Sequence, residues 1–217
     1  METPIAIALP KGRLFAEAVA LFEAVGITGL EAFRDSRRLI VEDGSGRYRF
    51  LALRDADVPT YVEHGAADLG VVGKDQLLEH GRDLYEPLDL RFGACRLVVA
   101  QPADLTGDGR PEEWSSLRVA TKYPSVTERH FTQRGIQVEI IKLYGSIELA
   151  PLVGLAERIV DLVASGRTLR EHGLVEVEEI ARCSARLIVN RAALKTRYHR
   201  IRTLIGLLRA RIEQGGR

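Results

Sequence analysis

Ile5-Ala6-Ile7-Ala8-Leu9 is an unbroken apolar run of strand length. A strand without alternation is covered on both faces, as in a sheet sandwiched between helices. Pro10-Lys11-Gly12-Arg13 breaks the run, and Leu14, Phe15, Ala18, Leu21, Phe22 and Val25 then recur at helical spacing until Gly26. Strand, loop, amphipathic helix is the opening of an α/β fold, and it constrains everything that follows.

The same alternation continues. Arg38–Val41 and Tyr48–Leu53 flank the turn-rich Asp43-Gly44-Ser45-Gly46 and read as a hairpin. Asp57 can cap a helix with Pro59 in its first turn. Asp68–Gly73 reads as a strand leading to a helix near Asp75–Glu79, and Arg96–Ala100 as a further strand. Residues 102–116 carry Pro102, Gly107, Gly109 and Pro111 with little periodicity, the best linker by composition. Strands are then expected at Arg118–Thr121, Val138–Lys142, Ile159–Val163, Leu174–Ile180 and Arg186–Val189, with a helix after Pro124. Leu194, Tyr198, Ile201, Ile205, Leu208 and Ile212 form the stripe of one long C-terminal helix, whose arginines read as a solvated face. The sheets are expected to be mostly parallel.

Composition excludes several classes. At 217 residues and 46% hydrophobic content the chain can bury a core, and a net charge of +1 does not suit a surface built for nucleic acid. No apolar run spans a membrane, no export signal precedes Ile5, and no Cys/His cluster has zinc spacing. Cys95 and Cys183 are read as buried reduced thiols, so a cytoplasmic location is expected.

Four segments carry candidate chemistry. Arg158–Leu169 runs from an apolar strand through Asp161 into the small-residue loop Ala164-Ser165-Gly166-Arg167-Thr168. Such a loop can turn several amides toward one phosphate, and Asp161 can accept hydrogen bonds from a ribose diol. A plain turn with Ser165 or Thr168 capping the next helix explains the loop equally well. Lys11-Gly12-Arg13 places two cations at a strand end, where α/β sheets collect ligands. Arg54, also at a strand end, and Arg37, at the start of the hairpin, are further cations; each alone reads as an ordinary surface arginine or a partner of Asp55 or Asp57. Glu148 stands near a helix start, where a lone carboxylate commonly just favours the helix dipole.

Together these segments resemble the ATP phosphoribosyltransferase family. Glu148, Gly154, Ala156, Ile159, Asp161, Leu162, Ser165, Gly166, Thr168 and Leu169 stand at the family's spacing. Leu9–Arg13, Asp57-Val58-Pro59, Ala67–Val71, Gly73-Lys74-Asp75 and Ala120–Pro124 are similar to family segments in the family's order. The resemblance implies a fold like type II periplasmic binding proteins: two α/β lobes with a ligand cleft between them. Lobe one would be residues 1–92 with 184–217 returning to it, and lobe two residues 93–183. It implies the reaction of ATP with phosphoribosyl pyrophosphate (PRPP) that opens histidine synthesis. Asp161, Ala164–Thr168 and Glu148 would hold PRPP. Lys11, Gly12, Arg13 and Tyr123 would bind ATP or pyrophosphate, Arg54 and Arg37 would stabilise the departing charge, and Mg²⁺ would ride on the substrates' phosphates. The chain stops at Arg217 after its last helix, which matches the short form: no C-terminal regulatory domain, a separate regulatory subunit resembling histidyl-tRNA synthetase, and a homodimer within a hetero-oligomer. The competing expectations are a solute-binding or regulator module of the same fold and an inactive relative.

Overall fold

A computed structural model describes residues 3–33, 38–81, 84–106 and 117–215. The chain divides into two compact units. Unit 1 comprises residues 1–77, 81–93 and 184–217; unit 2 comprises residues 78–80 and 94–183.

Unit 1 is built on a six-stranded sheet. Its strands are β1 (Ile5–Pro10), β2 (Ile40–Glu42), β3 (Tyr48–Leu53), β4 (Leu69–Gly73), β5 (Tyr85–Asp89) and β11 (Ala185–Val189), in the order β2-β3-β1-β4-β11-β5. β1 runs parallel to β3 and β4; the other three pairings are antiparallel. Alternation along β1 sends Ile5, Ile7 and Leu9 to one face and Ala8 to the other. The first face is covered by α1 (Phe15–Ala24), α7 (Arg191–Thr196) and α8 (Tyr198–Gly215), through Phe22, Ala193, Ile201, Leu204 and Leu208. The second is covered by α2 (Val58–Glu63) through Val58 and Val62; α3 (Lys74–His80) follows β4 directly. The crossovers from β1 to β3 and from β3 to β4 therefore lie on opposite faces, which makes the carboxyl end of β1 a topological switch point.

Unit 2 repeats the plan with five strands: β6 (Cys95–Pro102), β7 (Leu117–Thr121), β8 (Val138–Lys142), β9 (Arg158–Val163) and β10 (Leu174–Cys183), in the order β10-β6-β9-β7-β8. β7 runs parallel to β8 and β9, whereas β6 pairs antiparallel with β9 and β10. α4 (Pro124–Thr132) packs one face through Val126 and Phe131. α5 (Leu149–Leu152) and α6 (Arg167–Glu171) cover the other, with Ile147, Ala150 and Leu169 in its core. The switch point here is the carboxyl end of β7, beside β9.

Several expectations change. The sheets are mixed rather than mostly parallel, because β5, β6, β10 and β11 close them with antiparallel pairings. Asp57 stands at the entrance of α2, where its side chain caps nothing. Residues through Pro102 belong to β6, paired on both sides, so no linker begins there; residues 107–116 lie outside the described residues. The C-terminal helix is two helices broken at Arg197, whose Nη1 donates to the Pro4 carbonyl and to Asp68. Arg200 likewise fastens to the Thr3 and Arg47 carbonyls. Part of the basic face is therefore internal fastening. Tyr198, expected in the buried stripe, is 44% exposed with Arg202 over its ring, and Leu204 is buried instead. Cys95 and Cys183 are buried and directly opposite each other on β6 and β10.

Candidate active site

In unit 2 the parity of β9 decides where Asp161 goes. Ile159 and Val163 join the core beneath α5 and α6, and Val160 joins the opposite core. Asp161, two residues from each of the first pair, shares their face. Its neighbour across β6 is the buried Val98, and its Oδ1 accepts the Leu162 amide at 2.8 Å. Burial among apolar groups raises the Asp161 carboxyl to about 6; the Leu162 amide pulls it down, Glu148 pushes it up and Lys122 pulls it down. Glu148 and Asp161, distant in sequence, thus sit within electrostatic reach of each other. Glu148 arrives at the entrance of α5 after Ser146, whose φ of 50° is in the left-handed region that non-glycine residues seldom occupy.

The loop after β9 turns on Gly166, at φ 71°. A Cβ there would lie 2.9 Å from Arg170 Nη1 and 3.1 Å from Glu176 Oε1, ends of flexible side chains that can shift, so it is the backbone angle that favours glycine. Gly166 itself occupies the cap position of α6, without any side-chain cap. Ser165 Oγ makes only a 3.4 Å contact with the Arg167 amide, and Thr168 lies inside the helix. The helix-capping account of the loop therefore fails. Among the described residues, the amides of Ser165, Gly166, Thr168 and Leu169 find no acceptor in the protein, which leaves them open to solvent or to a ligand. Ala164, Ser165 and Thr168 are exposed. Arg170, which the sequence did not single out, steadies the loop by donating to the Ser165 carbonyl at 3.2 Å. Arg167 is drawn along α6 to Glu171 at 2.7 Å, so its charge lies on the helix surface.

In unit 1, β1 and β3 end together: Pro10 lies opposite Leu53, and the Lys11 amide donates to the Leu53 carbonyl at 2.6 Å. This register brings Lys11 and Arg54 to neighbouring positions at the switch point. Both are exposed, and among the described residues neither side chain has a protein partner, Asp55 and Asp57 included. Gly12 supplies a φ of 99° for the sharp exit from β1. Arg13 is committed in part to structure, its Nη1 donating to the Gly93 carbonyl at 2.9 Å. Arg37 lies outside the described residues.

Tyr123 requires a correction. It is 2% exposed and packed with Leu97, Val99, Val126 and Phe131. One residue past Lys122, it falls on the α4 side of the sheet, opposite to Asp161. Its ring is a core element rather than the lining of a nucleotide site.

Among the described residues, no helix is long and apolar enough to cross a membrane. The family model for ATP phosphoribosyltransferase matches residues 54–210. The ATP phosphoribosyltransferase of Syntrophotalea carbinolica is 62% identical over 205 residues, 94% of each chain. The ATP phosphoribosyl transferase (HisG:HisZ) complex from Thermotoga maritima contains a chain 34% identical to this one, with a TM-score of 0.84 over 97% of this chain and 99% of that one. The periplasmic aliphatic sulphonate binding protein SsuA from Escherichia coli is similar in fold alone, at 13% identity and a TM-score of 0.59, covering 99% of this chain and 76% of its own. On the family model and these identities, the chain belongs to the ATP phosphoribosyltransferase family.

Proposed function

We propose that this chain joins ATP to PRPP, forming N1-(5-phosphoribosyl)-ATP and pyrophosphate, and that the carboxyl edge of β7 and β9 holds the phosphoribosyl group. The observation that carries this reading is the pairing of two features in unit 2. Asp161 and Glu148 supply two neighbouring acceptors for a ribose diol, and the loop that leaves β9 offers unfilled amides to the 5-phosphate. Ala164 and Gly166 keep that loop open to a phosphate, Ser165 and Thr168 add hydroxyl donors, and Arg167 adds positive charge at the loop's rim.

In the reaction the lone pair of adenine N1 forms a bond to ribose C1, while the bond from C1 to the pyrophosphate oxygen breaks and its electrons leave with pyrophosphate. N1 carries no proton, so no general base is needed. Positive charge grows on the ribose ring, where Asp161 and Glu148 favour it. To unit 1 we assign the phosphate charge. Lys11 and Arg54 are exposed cations at the end of β1 and β3 with no side-chain partner among the described residues, Gly12 lets the backbone approach, Arg13 adds a third positive charge, and Arg37 joins Arg54 in meeting the departing charge.

Among the described residues no group of three or more His, Cys, Asp or Glu side chains is placed to hold a metal. We assign Mg²⁺ to the phosphates of the substrates. Carried there, the ion would supply neutralisation of charge on the leaving pyrophosphate. Likeness to the Thermotoga maritima HisG:HisZ complex supports assembly with a HisZ-like regulatory subunit; we assign that subunit to the histidyl-tRNA-synthetase type and the chain to a homodimer within a cytoplasmic hetero-oligomer.

The test is absorbance of phosphoribosyl-ATP formed from ATP, PRPP and Mg²⁺ by the chain with its regulatory subunit. Turnover lost in a folded Arg54→Ala variant supports the assignment of Arg54; full turnover in that variant ends it.

A further inference from the structure

The Asp161 carboxylate has a second charged neighbour, Lys122, which the motif block from Glu148 to Leu169 does not contain. Val119, Ala120 and Thr121 of β7 lie opposite Arg158, Ile159 and Val160 of β9. Thr121 Oγ1 locks this register, donating to the Val160 carbonyl at 2.7 Å and accepting the Tyr123 amide at 2.9 Å. Lys122 is the residue that directly follows β7, and Asp161 is the next residue on β9. Parity gives both the same face, because Ala120 and Ile159 share the core beneath α5 and α6. Lys122 therefore emerges at the switch point beside Asp161, on the side from which Glu148 approaches.

We propose that Lys122 is a positioning residue for ribose recognition: it holds Asp161 as an ionised, oriented acceptor beside Glu148. The proposal rests on the ribose-binding role of Asp161. Its physical logic is that two carboxylates facing one another in a half-buried site repel, and each favours protonation of the other. A protonated carboxyl offers a donor where a ribose hydroxyl needs an acceptor. An ammonium beside Asp161 offsets that repulsion and preserves Asp161 as an acceptor near neutral pH. The effect of Lys122 on Asp161 is of this sign, opposing burial and Glu148.

The other groups around Asp161 do not replace it. β6 presents the apolar Val98. From α6, Arg167 is paired with Glu171 and Arg170 is bonded to the Ser165 carbonyl. From α5 and its entry turn the charged group is Glu148.

The experiment measures PRPP affinity of the full chain by calorimetry between pH 6 and pH 8.5, for wild type, Lys122→Met and Lys122→Arg. The ratio of variant to wild-type dissociation constants is read, in which titration of PRPP's own phosphates cancels. For Lys122→Met the expected weakening is ~10-fold at pH 6.5, shrinking to less than ~3-fold at pH 8.5, where Asp161 ionises without help. Lys122→Arg restores most of it. Carbon NMR of the Asp161 carboxyl in the free chain should show the titration moved to higher pH in Lys122→Met and returned by Lys122→Arg. A pH-independent loss would mean that Lys122 binds the substrate itself, and an unmoved carboxyl would remove the electrostatic link; either overturns the proposal. Wild type that fails to bind PRPP while its Asp161 titration still responds to Lys122 would instead refute the ribose assignment.

Discussion

Asp161→Asn should stabilise the protein while abolishing its binding function. The Asp161 carboxyl is raised from 3.8 to about 6. A raised carboxyl means that folding favours its neutral form. The stability contributed by Asp161 is therefore fully present below about pH 4 and is lost as pH rises through about 6. The full displacement corresponds to roughly 3 kcal/mol, and partial exposure of the site lowers the realistic figure to about 1–2 kcal/mol. Asparagine keeps an acceptor for the Leu162 amide and removes the charge. At pH 8 the melting temperature of Asp161→Asn should exceed that of wild type by about 2–8 °C, and the difference should vanish near pH 3.5. Scanning calorimetry at both pH values, without ligand, measures this directly. A variant less stable than wild type at pH 8, or a gain of equal size at both pH values, would refute the claim that Asp161 is a carboxylate held against its own solvation for the sake of a ligand.

Other substitutions separate site from scaffold. Gly166→Ala should weaken PRPP binding more than ~10-fold by calorimetry, because its backbone sits at φ 71°, which side-chain-bearing residues seldom adopt. Wild-type affinity in that variant would show that the loop does not depend on this geometry. Arg54→Ala should lower turnover by ~100-fold and shift melting by less than ~2 °C, since Arg54 is exposed and has no partner among the described residues. Tyr123→Ala should do the reverse, costing about 3–5 kcal/mol in denaturant unfolding while the folded fraction keeps its Michaelis constants; a large rise in the Michaelis constant for ATP would return Tyr123 to the nucleotide site.

How much of this was legible in the sequence depends on whether the signal was local. The run Ile5–Leu9 announced a strand buried on both faces, and the turn at Asp43–Gly46 announced the β2–β3 hairpin, because burial and turn chemistry act on neighbouring residues. β5 was illegible: it is a sheet edge with Pro87 at its centre and one buried residue, Leu88, so it lacks both alternation and β-branched residues. The break at Arg197 was hidden for a different reason. Asn190 caps α7, while Arg197 is drawn to Pro4 and Asp68, contacts that no local pattern encodes. At the site, Asp161 and its loop stood out because glycine, small residues and a carboxylate follow one strand. Lys122 did not, since its relation to Asp161 depends on β7 and β9 being neighbours in register. Tyr123 was misplaced because an aromatic beside a family segment says nothing of which face it occupies; strand parity decides that.

The central claim is that the strand end at Asp161 and the loop that follows bind a 5-phosphoribosyl group. Its most direct test is calorimetric titration of PRPP with Mg²⁺ into wild type and into Asp161→Ala, with folding of the variant verified by its melting curve. The account predicts saturable one-site binding by wild type and affinity weakened at least ~100-fold in the folded variant. A folded Asp161→Ala that binds PRPP as tightly as wild type would contradict it.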